Sequence, residues 1–333
     1  MKPGPVEELG WVTGEQSPNK TGSRFGVLAT DLGICWDDGA GGMLVAFGDT
    51  YGEAWAGHGA GPRDADWRCN VLAYASLDEP VGTLELQSFV EDSPGHAAQV
   101  LSRDPLAGEE TVIPTAGIGV DGTQYLHYMS VRSWDGPGRW RTNYGAIARS
   151  TDGGQTWQTN GPRWANRSAQ WWRSSRGAGF QLGAFVRDGE YVLLFGTPNG
   201  RFGPARLARV PADSVFDVTA YEYWAGQDWN PRPYSAAPVI PAPVAELSVL
   251  WHPPSRRWLA LTLDEHQAAI VLRSAPEPPG PWSPPQPVVR GVDYPGLYGG
   301  HLLPCSAEGE HLYFTMSQWG PYNVRLMRTR HTV

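Results

Sequence analysis

Ala46-Phe47-Gly48-Asp49-Thr50 decides the fold, because four later stretches repeat its design of an apolar strand ending in a small or acidic residue. A second apolar stretch follows each of them at a similar distance. Five units of about 50 to 80 residues are typical of a β-propeller. We therefore predict an all-β chain, a five-bladed β-propeller of four-stranded antiparallel blades, in one domain over residues 1–333. The four repeats are Leu126-His127-Tyr128-Met129-Ser130, Leu193-Leu194-Phe195-Gly196-Thr197, Ala260-Leu261-Thr262-Leu263-Asp264 and Tyr313-Phe314-Thr315-Met316-Ser317.

The fifth unit has only three predicted strands, and the N-terminus offers a candidate for the fourth. Residues 7–12 read as a short strand ahead of the turn-like Gln16-Ser17-Pro18-Asn19. Sharing one blade between both chain ends removes open sheet edges. We expect the N-terminal strand to close the ring.

Composition supports short strands and excludes several partners. The chain has 41 Gly and 30 Pro, which favour tight turns, and 41% hydrophobic residues, enough for a sizeable core. The net charge of −8 argues against nucleic acid and against an anionic membrane surface. A neutral polysaccharide fits better, and we expect a monomer.

Targeting and cysteine signals are sparse. No stretch approaches the roughly 20 apolar residues that span a bilayer, and residues 1–20 contain no apolar signal core. We expect a secreted or cell-surface protein in its mature form rather than a cytoplasmic one. Cys35, Cys69 and Cys305 lack metal-ligand spacing, so we expect no metal and no cofactor. Buried free thiols are favoured.

Ser150-Thr151-Asp152-Gly153-Gly154-Gln155-Thr156-Trp157 resembles the Asp-box of sialidase-like propellers. In this pattern an aspartate caps backbone amides and a glycine adopts a conformation barred to other residues. We expect Asp152 to be structural.

Hairpin geometry selects the candidate catalytic pair. The turn at Asp37-Asp38-Gly39-Ala40-Gly41-Gly42 is centred near residue 40, so Asp31 and Asp49 should face each other at the open end of the hairpin. Two close carboxylates push their pKa values apart, which leaves one as an acid and the other as a base or nucleophile. This is the chemistry of a glycosidase. The alternative is that one of the two aspartates caps a turn and the other faces solvent.

The same geometry places Glu246 opposite Asp264 in the fourth unit, as a second carboxylate pair or as substrate contacts. Arg256, Arg257 or another cation would neutralise a merely structural pair. Other candidates for substrate contact lie at strand ends, and Arg68 would alternatively hold a carboxylate in its charged form. They are Trp67, Arg68, Asn70, Asn143, Gln181, Tyr298 and His301.

Sixteen tryptophans also suggest sugar stacking, because an indole face suits the apolar side of a sugar ring. Most of them, including Trp157 and Trp282, are expected to pack between blades. Trp171-Trp172 and the loop around Trp134 and Trp140 are the better candidates for a binding rim.

Blocks such as Phe47-Gly48-Asp49-Thr50, Trp67-Arg68-Cys69-Asn70 and Tyr298-Gly299-Gly300-His301 resemble one family along nearly the whole chain. That family is catalogued as domain of unknown function 4185 and includes the endo-D-arabinanases of glycoside hydrolase family 183. The resemblance implies a five-bladed propeller that cleaves α-D-arabinofuranosyl linkages in arabinogalactan and lipoarabinomannan, with catalytic aspartates at the positions of Asp31 and Asp49. The sequence departs from the family at Cys69, where a serine is expected, which adds a possible Cys35–Cys69 bridge. The remaining blocks are Ile113-Pro114-Thr115-Ala116-Gly117, the Asp-box segment and Glu246-Leu247-Ser248-Val249.

Two other functions compete with this one. A carbohydrate-binding propeller without catalysis would share the same fold and rim. An exo-sialidase would need an arginine cluster, of which only Arg68 is assignable near the axis. Retention and inversion both stay open, because Asp31 could work with Asp49 or across the axis with Glu246.

Overall fold

Short apolar runs bounded by Gly, Pro and Asp turns form the strands of the computed structural model, which describes residues 2–166 and 177–332. In chain order the strands are β1 Lys2–Trp11, β2 Leu32–Asp37, β3 Gly42–Phe47, β4 Val71–Ser76, β5 Leu86–Phe89, β6 Glu91–Ser93, β7 His96–Ala97, β8 Thr111–Val120, β9 Thr123–Gly136, β10 Arg139–Ser150, β11 Arg163–Ala165, β12 Leu182–Asp188, β13 Tyr191–Thr197, β14 Ala205–Pro211, β15 Glu222–Trp224, β16 Trp229–Asn230, β17 Pro238–Ile240, β18 Ala245–His252, β19 Arg257–Asp264, β20 Ala269–Ala275, β21 Gln286–Arg290, β22 Leu297–Leu302, β23 His311–Gln318 and β24 Asn323–Thr332. The described helices are α1 Thr21–Phe25 and the 3-10 turns Pro105–Ala107, Ala212–Ser214, Val218–Ala220, Pro233–Ser235, Pro253–Ser255 and Pro304–Ala307. The all-β prediction is confirmed.

These strands form five larger antiparallel sheets and one small one. The first sheet is β2-β3-β4-β5, the second β8-β9-β10-β11 and the fourth β18-β19-β20-β21. The third contains β12 to β16 with β17 beside β14, and β6 pairs with β7. The repeated stretches of the sequence form the second strand of each larger sheet.

The fifth sheet, in the order β1-β24-β23-β22, joins the two ends of the chain. Glu7 pairs with Arg328 and Trp11 with Arg325. The prediction that an N-terminal strand completes the last unit is confirmed.

The inner strand of each larger sheet contacts the inner strands of two other sheets, in a cyclic order. The inner strands are β2, β8, β12, β18 and β22. β2 contacts β8 and β22, β8 contacts β12, and β18 contacts both β12 and β22. Strands such as β20 are buried along their whole length, and one hydrophobic cluster contains residues of all five larger sheets. The core is therefore continuous between sheets, and the strand ends are left to carry polar side chains.

The three cysteines are free, and the possible Cys35–Cys69 bridge is wrong. Cys35 pairs with Val45 on β3, whereas Cys69 precedes β4, which lies on the other side of β3. An intervening strand separates the two thiols.

Candidate active site

The open end of the first hairpin brings Asp31 and Asp49 together. Ala29 pairs with Tyr51, and the hydroxyls of Thr30 and Thr50 are 2.7 Å apart, so the predicted hairpin register holds next to Asp31. A β-bulge between Leu32 and Ile34 interrupts it on the other side.

Asp31 is held from the fifth sheet. The Tyr298 hydroxyl donates to Asp31 Oδ2 at 2.8 Å, while Asp31 Oδ1 is buried without a hydrogen-bond partner. The amide of Gly48 donates to the carbonyl oxygen of Asp31 at 3.1 Å. A Cβ atom on Gly48 would lie 2.3 Å from Asp31 Oδ1, so only glycine leaves room for this carboxyl group.

Asp49 is held from its own sheet and from the second. Trp67 Nε1 donates to Asp49 Oδ1 at 2.9 Å, and the Thr111 hydroxyl donates to the same oxygen at 2.7 Å. The guanidinium groups of Arg63 and Arg103 lie 5.1 and 5.2 Å from the centroid of the Trp67 ring. Trp67 therefore orients Asp49 and is itself held by two cations.

Burial raises the pKa of both carboxyl groups, and the charge of Asp49 adds to the shift of Asp31. Burial, and after it the charge of Asp49, raise the pKa of Asp31 to about 7, against hydrogen bonds from Tyr298 and Tyr322. Burial raises the pKa of Asp49 to about 6, against hydrogen bonds from Thr111 and Trp67. Between these values one carboxyl group carries a proton and the other is ionised.

Glu246 faces the same region but has a cation of its own. Arg201 donates from Nε to Glu246 Oε1 at 2.8 Å and from Nη1 to Glu265 Oε1 at 3.1 Å. The Arg201 guanidinium also lies 5.1 Å from the Tyr298 ring centroid. Glu246 Oε2 is buried without a hydrogen-bond partner, and burial raises the pKa of Glu246 while Arg201 opposes the shift. Of the expected alternatives, Arg256, Arg257 or another cation, the structure shows another cation, Arg201.

Two cavities follow the inner strands away from the aspartates. A cavity of about 30 Å³ is lined by residues that include Leu32, Glu246 and His301, and one of about 340 Å³ lies at the hairpin-turn end beside Trp36 and Phe185. His301 borders both cavities. Burial lowers its pKa to about 4, so this imidazole is neutral near pH 7.

The family of this chain follows from its sequence. The family DUF4185, described as a domain of unknown function, matches residues 16–328. The chain belongs to DUF4185. Notoamide biosynthesis cluster protein J of Aspergillus sp. (strain MF297-2) is 31% identical over 319 residues, which are 90% of this chain and 82% of that protein.

Solved structures similar to this DUF4185 protein include β-propeller glycoside hydrolases. A family 117 glycoside hydrolase from Zobellia galactanivorans has a TM-score of 0.55 and 13% identity, over 98% of this chain and 90% of that chain. The catalytic domain of the GH62 α-L-arabinofuranosidase of Coprinopsis cinerea has a TM-score of 0.52 and 12% identity, over 99% and 97% of the two chains. At these identities the likeness describes the fold.

Two predicted contacts of this DUF4185 protein serve the fold. Arg68 donates to the carbonyl oxygens of Ala97 and Gly26 and pairs with Asp66 at 3.1 Å, so it does not hold either carboxylate of the pair. The Asn70 amide makes four hydrogen bonds, all to backbone groups. With both amide protons and both acceptor directions used, Asn70 has nothing left to offer a sugar.

Gln181 and Asn143 are also tied to the protein. Gln181 Nε2 donates to two carbonyl oxygens, and its Oε1 accepts from the Thr142 hydroxyl at 2.7 Å. Asn143 Nδ2 donates to the carbonyl oxygen of Gly108 and to Ser130 Oγ, and its Oδ1 is buried without a partner.

Asp264 forms its hydrogen bonds within a turn and not with Glu246. Its two carboxylate oxygens accept from the backbone amide and the side-chain amide of Gln267, at 3.1 and 2.9 Å, which closes the turn before β20. A bulge between Ala245 and Leu247 takes Glu246 out of the regular pairing with β19.

Asp152 lies in a turn, as expected. Its oxygens accept from the amide and hydroxyl of Thr156, and Gly154 has a φ of 95°. Trp157 Nε1 donates to the carbonyl oxygen of Gly154 at 2.9 Å.

The rim tryptophans fall into two classes. Trp134 is 53% exposed, whereas Trp140 beneath it is buried at a ring distance of 5.8 Å. Trp282 packs against Phe195 in the core. Trp171-Trp172 lies outside the described residues.

Three residues of the site were not predicted. They are Thr111, Arg201 and Tyr322. Arg201 and Tyr322 lie in loops or turns, where polar residues are common. Only Thr111, two residues before the Ile113 block, had a signal that could have found it.

No helix within residues 2–166 and 177–332 is long and apolar enough to cross a membrane. Across the same described ranges, no group of three or more His, Cys, Asp or Glu side chains is arranged to hold a metal ion.

Proposed function

We propose that this DUF4185 protein is a five-bladed β-propeller glycoside hydrolase that cleaves α-D-arabinofuranosyl linkages within cell-wall D-arabinan. One observation carries the proposal: Asp31 and Asp49 lie together at the open end of the first sheet, and the charge of Asp49 adds to burial in raising the pKa of Asp31. The cyclic contacts of the five inner strands support the five-bladed arrangement.

The hydrogen bonds and burial of the two aspartates support a division of roles. Asp31 has the higher pKa and is the general acid, which gives its proton to the glycosidic oxygen as the bond to the anomeric carbon breaks. Asp49 accepts from Trp67 and Thr111, which favour its ionised form. Its carboxylate attacks the anomeric carbon or removes a proton from the water that does so.

The choice of substrate rests on chemistry and resemblance. The chain is acidic, which suits a neutral polymer. The family blocks resemble endo-D-arabinanases, and a structural neighbour is named an α-L-arabinofuranosidase. The protein then acts as a monomer outside the cell, where such wall polymers lie.

Asparagine variants of both aspartates test the assignment. Asp31→Asn and Asp49→Asn are expected to cut purified arabinogalactan at least about 100-fold more slowly, since a positioned acid or base contributes 10²–10⁴-fold. Asp264→Asn is the matched control, because that aspartate ends the equivalent strand of the fourth sheet but caps a turn. If the wild type binds arabinan but does not cut it, the result would contradict the hydrolase and support a carbohydrate-binding propeller.

Product analysis tests the mode of cleavage. A ladder of oligosaccharides is expected, and release of monosaccharide alone would contradict endo action. A proton NMR time course of the first anomer released decides between retention and inversion.

A further inference from the structure

Two exposed tryptophans belong to the second and fifth sheets, which flank the first sheet that carries the aspartates. Among the described tryptophans, only Trp134 at 53% and Trp319 at 50% are classed as exposed. Exposing an indole to water costs hydrophobic free energy. Two exposed indoles on the sheets that flank a candidate site therefore suggest a ligand that covers them.

Trp319 reaches the site through the fifth sheet. It lies in the turn between β23 and β24, and its ring packs edge-on against Tyr322 at 5.5 Å. Tyr322 acts on Asp31 by a hydrogen bond, and its carbonyl oxygen accepts from the amide of Thr30. Trp319 also follows Ser317, the pairing partner of Tyr298, by two residues.

Trp134 reaches the site through the second sheet. Val131 on β9 pairs with Thr111, whose hydroxyl donates to Asp49. Trp134 is three residues further along the same strand, about 10 Å at the usual strand rise. Its ring packs on Trp140, and the guanidinium of Arg201 lies 5.8 Å from the Trp140 ring centroid.

The sheet arrangement puts the two indoles on opposite sides of the pair. The first sheet carries both aspartates, and β2 contacts β8 of the second sheet and β22 of the fifth. Trp134 lies on β9 of the second sheet, and Trp319 lies in the turn between β23 and β24 of the fifth sheet. A polymer held by both rings would pass over the carboxyl groups rather than end at them.

We propose that Trp134 and Trp319 are stacking platforms for sugar rings on the two sides of the cleaved bond, and that they bind a neutral furanose polymer through its interior. The inference rests on the proposed function and extends it to the means of chain recognition. An indole face removes the apolar side of a sugar from water without demanding a particular hydroxyl pattern.

The test compares chain lengths. Trp134→Ala and Trp319→Ala are assayed on long arabino-oligosaccharides and on a short aryl α-D-arabinofuranoside, with Trp→Phe at each position as the conservative variant. The loss of kcat/KM is expected to be about tenfold larger on the long chain than on the short substrate. The Phe variants should recover most of it. Tyr234→Ala is the matched control, since Tyr234 is 58% exposed in the turn beside β15.

Equal losses on both substrates, or the same loss in Tyr234→Ala, would overturn the platforms. If the wild type cuts no arabinan, affinity electrophoresis on arabinan, xylan and galactan still measures whether Trp134 and Trp319 contribute to glycan binding. Weaker retention of both Trp→Ala proteins on one glycan supports the platforms while the arabinanase proposal fails. Unchanged retention on all three refutes them.

Discussion

Replacing Gly48 with alanine should disable the enzyme without unfolding it. The new Cβ would lie 2.3 Å from Asp31 Oδ1 and 3.2 Å from Leu32 Cδ1. Gly48 is outside the left-handed region, so the backbone itself accepts alanine and the clash falls on the carboxyl group.

The size of the effect follows from the distance. Ordinary van der Waals contact begins at 3.4 Å, so the carboxyl group must retreat by about 1 Å, a displacement that can cost about 100-fold in rate. The move also strains the 2.8 Å hydrogen bond from Tyr298. Overpacking of this kind lowers the free energy of unfolding by about 1–3 kcal/mol.

The assay is kcat on arabinan together with thermal unfolding. Gly309→Ala, where the nearest atom is 3.6 Å away, should change neither quantity. Gly196→Ala, at the equivalent place in the third sheet, places its Cβ 2.2 Å from the Phe180 ring and should lower stability without a selective loss of kcat. Full activity in Gly48→Ala would refute the claim that the Asp31 carboxyl group must stay where it lies.

Of four further predictions, two concern ionisation, one a cation and one the thiols. Because folding raises the pKa of Asp31 to about 7, the free energy of unfolding should fall as pH rises from about 4 to 7. The free energy of unfolding of Asp31→Asn should exceed that of the wild type by about 2–4 kcal/mol at pH 8, and the difference should vanish near pH 4. Urea unfolding at both pH values measures this difference, and equal stability at pH 8 would contradict the prediction. The pH profile of kcat/KM, which reports ionisation of the free protein, should be bell-shaped with limbs near 6 and 7, and a flat profile over that range would count against the pair. Arg68→Met should lose at least about 2 kcal/mol of stability through its carbonyl partners but leave both limbs in place, whereas a shifted limb would mean that Arg68 acts on the pair. Unfolding without reductant should release three titratable thiols, and a count of one would require a disulfide.

Local patterns were enough to predict the strands and the position of the aspartate pair. Strand identity depends on apolar runs and turn residues within about ten positions, and the hairpin register is fixed by its own turn. The register held at Ala29 and Tyr51, and it failed only at the bulge between Leu32 and Ile34.

Side-chain partners were not predictable in the same way, because they come from distant parts of the chain. Asn70 bonds to Leu101 and Val112, and Glu246 takes its cation from position 201. A polar residue at a strand end looks alike in sequence whether a backbone carbonyl or a ligand meets it. Arg68 was expected near the aspartates for that reason, and its partners proved to be structural.

The pairing of β1 with β24 has a consequence for synthesis. Glu7 leaves the ribosome more than 300 residues before Arg328, its partner, has been made. The first strand must therefore wait, unpaired and open to other strand edges, while four sheets assemble, and non-local pairings of this kind are slow to form. A chain arrested before β24 would expose two unpaired strand edges at once, so synthesis of β24 is the step that protects the protein from edge-to-edge aggregation.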